Sequence, residues 1–154
     1  MERGLLDLHN LLRWVVLILA LITIMRSSGG LGGNKPFTQA TKKMAMFLMI
    51  SVDIQLLLGL SLYVMKGWFG LLMSGGVMKN AYNRFFAVEH FLGMIIALVL
   101  IHVGYAATKK NVSDASKYKK LFWFTLIALV LILISIPWPF RENIARPWFP
   151  GMAV

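Results

Sequence analysis

LLDLHNLLRWVVLILALITIM, from Leu5 to Met25, is the stretch on which the fold turns. From Trp14 to Met25 it carries no charged residue. At 1.5 Å of rise per residue, a helix of this length covers the roughly 30 Å hydrocarbon core of a bilayer. It has no small-residue cleavage site and runs into Arg26, so it reads as a retained span rather than a signal peptide.

Three further apolar runs repeat the pattern: about Met44 to Val64, Phe85 to Ala106, and Leu121 to Ile136. Pro137 and Pro139 stop the last, because proline cannot donate its backbone nitrogen to a continuing helix. The spans 5–25, 44–64, 85–106 and 121–136 use more than half of the 154 residues, which leaves no room for a separate soluble domain. The expected fold is all-α, a single integral-membrane four-helix bundle over residues 1–154. A hydrophobic content of 58% and a mean hydropathy of +0.72 agree, since a water-soluble domain of this size would expose too much apolar surface.

The connections carry the charge. The net charge of +10 is dispersed in short segments between spans, without the single basic face that nucleic-acid binding requires. Topology control and anionic lipid head groups account for it better. Nine basic residues (Arg26, Lys35, Lys42, Lys43, Lys109, Lys110, Lys117, Lys119, Lys120) fall on one side. Six (Arg3, Lys66, Lys79, Arg84, Arg141, Arg146) fall on the other, so the positive-inside rule places both termini outside.

The segment GGLGGNKP, Gly29 to Pro36, lacks the preceding strand and the G-K-[ST] ending of a phosphate loop and reads as a flexible linker. Lys66 to Asn83, with Trp68 and Phe69, is too short to span and suits an interfacial or re-entrant stretch. Trp138 and Trp148 in the aromatic tail suit anchors at the outer interface.

The absence of cysteine excludes disulfides, thiolate metal sites, iron–sulfur clusters and covalent haem attachment. Ten methionines scattered through spans and loops read as gap-fillers rather than copper ligands. No nucleophile lies beside a base at a common depth, so nothing points to hydrolysis or acyl transfer, and at most the chain is an electron-transfer component.

Ionisable groups within spans are expensive and therefore candidates: His9, Arg13, Asp53, Glu89, His90 and His102. Spans one and three run in the same direction, so His9 and His90 reach similar depths, as two axial ligands of one haem iron require. They suit interhelical hydrogen bonds equally well. Arg13, one turn beyond His9, suits a haem propionate or an ion pair with Glu89 or Asp53. His102, about 18 Å along the helix from His90, suits a hydrogen bond between helices. Asp53 suits either a proton relay or a tie that sets helix register. Ser51, Gln55 and Gly59 make one small or polar stripe and Gly93 with Ala97 another, which marks spans two and three for close packing. A transport role through Asp53, Glu89 and His102 finds no inverted repeat to support it.

LHNLLRW (Leu8 to Trp14), DIQLLLGLSLY (Asp53 to Tyr63), RFFAVEH (Arg84 to His90) and IPWPFR (Ile136 to Arg141) together resemble small four-span bacterial membrane proteins labelled cytochrome b-like. The resemblance covers nearly the whole chain. It implies haem b with His9 and His90 as iron ligands, and Arg13 and Arg84 as partners of its propionates. It further implies a bacterial inner-membrane location with periplasmic termini, and electron exchange with quinone or with other membrane subunits. A cofactor-free accessory subunit of a larger, respiratory-type complex is the alternative. The family pattern often has a histidine where this chain has Asp53, a departure that bears on haem retention.

Overall fold

The computed structural model describes residues 2–152 and is helical without strands among them. The first span is α1, Glu2–Ser28, and the second α2, Gln39–Met65. A short α3, Trp68–Met73, and a 3₁₀ turn, Val77–Lys79, follow. The third span is assembled from α4, Ala81–Arg84, a π-helical turn, Phe85–Glu89, and α5, His90–Ala107. The fourth is α6, Asp114–Ser135. Three of the expected spans lie within these helices and the fourth ends one residue past α6, at Ile136; the helices begin several residues before the apolar runs, where Thr38, Asn80 and Ser113 cap polar first turns.

Local chemistry sets the ends. Thr38 accepts the Thr41 amide at 3.2 Å to start α2, and Ser113 accepts that of Ser116 at 3.3 Å to start α6. Ile136 is extended, with ψ 133°, because the ring of the following Pro137 excludes helical backbone there. The chain then folds back, and the amide of Arg146 reaches the Pro137 carbonyl at 2.9 Å.

The most extensive packing is α1 on α2 and α5 on α6, with α1 also against α6 and α2 against α5. This puts α1 diagonally opposite α5. Val16, Leu17, Ala20, Leu48, Val52, Ala97, Ile101, Ala128, Leu129 and Ile132 fill the centre. The outer surface is also apolar: Leu11, Ile18, Leu21, Met25, Leu57, Val64, Ile96 and Ile134 are all exposed. Such a surface suits lipid and would drive aggregation in water. Four helices are long and apolar enough to cross a membrane, and the chain is a multi-pass membrane protein built as a four-helix bundle.

The small-residue faces of spans two and three are used for close packing against α1 and α6. A Cβ at Gly59 would lie 3.3 Å from Cε1 of His9 on α1, and one at Gly93 would overlap Ser135 Oγ on α6. These two glycines let α1 approach α2 and α6 approach α5, because only a residue without a side chain leaves room there. The Gly29–Pro36 linker is also packed. A Cβ at Gly30 would overlap the Tyr118 ring, and Tyr118 Oη donates to the Pro36 carbonyl at 3.0 Å.

Candidate functional site

The π-helical turn positions the third-span histidine. The His90 amide donates to the Phe85 carbonyl, five residues back, and this wider turn shifts the register of the helix before α5 begins. Tyr82, Phe86 and His90 form a ladder, with ring centres 4.7 Å and 6.3 Å apart. Tyr63 on α2 holds the same region by donating to the Ala87 carbonyl at 2.9 Å.

His9 and His90 meet across the diagonal of the bundle with ring centres 6.3 Å apart and planes 65° apart. His90 Nδ1 lies 2.7 Å from the Ser135 carbonyl oxygen. A carbonyl only accepts, so Nδ1 carries the hydrogen, and in the neutral ring Nε2 keeps its lone pair. His9 is held through its backbone: the Gln55 amide group donates to the His9 carbonyl at 2.9 Å. The His9 Nδ1 atom is buried without a partner.

Both imidazoles border a partly open cavity of about 150 Å³ between α1, α2 and α5. Its walls are mostly apolar, from Val52, Leu56, Met94, Leu98, Ile101 and Ile132 among others. Among the described residues six buried side-chain polar atoms have no hydrogen-bond partner. Four of them, His9 Nδ1, Arg13 Nε, Gln55 Oε1 and Arg146 Nε, belong to residues lining this cavity. Each such atom costs about 1–3 kcal/mol when left unpaired, so their gathering at one cavity favours a bound polar group.

The arginines at this end of the bundle take different partners. Arg13 is 7% exposed and makes no ion pair with Glu89 or Asp53. Its Nη2 donates instead to the carbonyls of Trp148, at 2.8 Å, and Pro147, at 3.3 Å, while the guanidinium lies against Trp14 and Trp138. Both carboxylates lie beside other groups, Glu89 beside Arg84 at 2.7 Å and Asp53 beside His102 at 3.2 Å. Arg84 borders a separate cleft with Arg141 and Glu142 and is absent from the lining of the histidine cavity. The second arginine at that cavity is Arg146, from the C-terminal tail. Its Nη2 donates to Tyr82 Oη at 2.6 Å, and the guanidinium lies 5.2 Å from the Phe86 ring centre. A tail folding back is invisible to helical periodicity, so only the tertiary structure brings Arg146 to this cavity.

His102 and Asp53 form an interhelical tie outside the cavity. His102 Nδ1 lies 3.0 Å from the Leu98 carbonyl, and its Nε2 stands 3.2 Å from Asp53 Oδ1 on α2. The two side chains stay 39% and 44% exposed on the α2–α5 seam. Trp138 and Trp148 join Trp14 and Phe149 in one aromatic cluster, with ring centres 5.3–6.3 Å from their neighbours for the tryptophan pairs. They fasten the tail to α1.

His9 and His90 could hold one metal ion between them: two imidazoles each bound at about 2.0 Å would keep their ring centres roughly 6 Å apart, close to the separation seen here. Metal-bound histidines commonly spend the other nitrogen on a carbonyl, as His90 does on Ser135. A tetrapyrrole is larger than the enclosed 150 Å³ and would have to take the open side of the cavity as well. No protein-family model, curated protein or solved structure matches the chain. Fold and cavity therefore define the class directly, a four-span membrane protein with an internal site bordered by two histidines.

Proposed function

We propose that this protein is a b-type cytochrome module of the bacterial inner membrane, in which His9 and His90 would hold one haem. The supporting observation is the 6.3 Å approach of two inward-facing imidazoles from diagonally opposed helices, one of them oriented by the Ser135 carbonyl. When bound, haem supplies one-electron redox chemistry. The chain's own residues do the rest. His90 is fixed in one tautomer by Ser135, and Gln55 steadies the His9 turn of α1. The mostly apolar walls lower the local dielectric, which raises the energetic weight of the nearby positive charges. Electron exchange would take place with quinone in the bilayer or with a neighbouring membrane subunit. The distribution of basic residues supports periplasmic termini.

The test is an absorption spectrum of the detergent-purified protein, reconstituted with haemin and recorded before and after dithionite. A sharp α-band on reduction is expected, lost in His90→Ala with helical content unchanged. Failure of the wild-type protein to take up haemin would end this reading.

The half-exposed Asp53–His102 pair favours a second reading, a cofactor-free subunit of a larger complex. Polar groups within spans usually face protein or a water-filled space rather than lipid. Recovery of larger membrane partners after extraction in mild detergent, from cells in which the chain carries no haem, is its expected result. A haem-free chain isolated as a lone monomer would count against it.

A further inference from the structure

A polar pair sits on the outer surface of the bundle, within the spans. Asp53 Oδ1 and His102 Nε2 are 3.2 Å apart across the α2–α5 seam, and their side chains remain 44% and 39% exposed. His9, Arg13 and His90, by contrast, turn inward and border the cavity. The residues one helical turn to either side of the pair are exposed and apolar: Ile50 and Leu57 on α2, Val99 and Ala106 on α5. A carboxyl and an imidazole are expensive to leave against hydrocarbon, and such groups within spans face protein or water.

We propose that this face is the contact between two copies of the chain, related by a two-fold axis along the bilayer normal. The pair is self-complementary. Because Asp53 and His102 touch, they lie at one depth on neighbouring helices. Rotation by 180° about an axis parallel to the helices keeps that depth and exchanges left for right. It sets α2 of one copy opposite α5 of the other, and each Asp53 opposite the partner's His102. Asp53 meets its own His102 through Oδ1, and the second carboxyl oxygen has lone pairs for a further donor. Two half-covered pairs then close into one four-group cluster shielded from lipid, ringed by Ile50, Leu57, Val99 and Ala106. A foreign helix would have to bring a donor and an acceptor at the same depth, whereas a second copy already carries both. Neither Asp53 nor His102 lines the histidine cavity, so the contact stands with or without a bound haem.

The test is energy transfer between donor- and acceptor-labelled copies of the full-length chain in liposomes, labelled at Asn111→Cys, with the protein-to-lipid ratio varied. With this face intact, transfer should follow a monomer–dimer equilibrium. Asp53→Leu and His102→Leu are made together, because a lone carboxyl would seek a partner of its own. The double variant should associate about tenfold more weakly, the scale of two polar ties between membrane helices. Leu57→Trp and Val99→Trp keep the pair but add bulk on exposed positions beside it, and each should weaken association as well. They keep the test decisive if the double variant does not fold. Ile127→Trp, at an exposed position on α6, diagonally across from α2, should change nothing. A chain that stays monomeric at every ratio overturns the proposal, and so does a dimer that Ile127→Trp disrupts while Leu57→Trp and Val99→Trp leave it intact.

Discussion

His90 Nδ1 donates to the carbonyl oxygen of Ser135, 2.7 Å away, and a glycine makes that approach possible. Ser135 is the last residue of α6, and its side chain occupies the space where Gly93 would carry a Cβ. The orientation of a cavity-lining imidazole thus depends on a helix terminus and on a missing side chain one turn away. Gly93→Ala should push α6 from α5 and loosen the His90 hydrogen bond, costing about 1–3 kcal/mol by overpacking. Thermal unfolding followed by circular dichroism measures this, and an unchanged midpoint would remove the packing argument.

The tail depends on α1. Arg13 and the Trp14 indole both donate to the Trp148 carbonyl, at 2.8 and 3.0 Å. Arg13→Leu removes the charged donor and should release residues 146–152, at a cost of about 1.5–3 kcal/mol for hydrogen bonds from a charged group. Limited proteolysis in detergent should then cleave the tail faster than in the wild type. Equal cleavage rates would show that the aromatic cluster holds it unaided.

Asp53 and His102 are expected to couple energetically. Asp53→Asn and His102→Phe should each weaken the α2–α5 seam, and a double-mutant cycle should return a coupling of about 0.6–1.7 kcal/mol, the range for polar ties between membrane helices. Additive effects would mean that the pair is only a proximity.

Gly30 is expected to be intolerant despite its place in a glycine-rich connection. A side chain there meets the Tyr118 ring, so Gly30→Val should destabilise by about 1–3 kcal/mol, while Gly32→Val, which meets nothing, should be neutral. Comparison of the two unfolding midpoints decides whether the linker is packed or free.

For the proposed orientation, single cysteines make a direct test because the chain has none of its own. A cysteine at Asn111 should resist a membrane-impermeant maleimide in intact spheroplasts, and one at Lys79 should react. The opposite labelling would invert the topology.

The four spans could be read from the sequence because lipid solvation demands long uncharged runs whatever the tertiary contacts are. The same demand drew attention to His9, His90, Asp53 and His102, since polar groups in hydrocarbon need partners. Pairing the two histidines required only helix rise and span direction, both available from the chain. The partners of Arg13 and Arg84 were not available, because Glu89 and Asp53 each lay within reach of more than one cation. The place of Arg146 depends on the tail turning back after Pro137, a tertiary contact that no local pattern encodes.

Hydrophobic run length and proline position, both local properties, determined the number of spans and the depth of each polar residue within them. The tertiary structure alone decided which helices are diagonal, which glycines admit a neighbour, and which arginines border the cavity. Those depend on side chains far apart in the chain competing for the same space and the same counter-charge, and no window of sequence records the outcome of that competition.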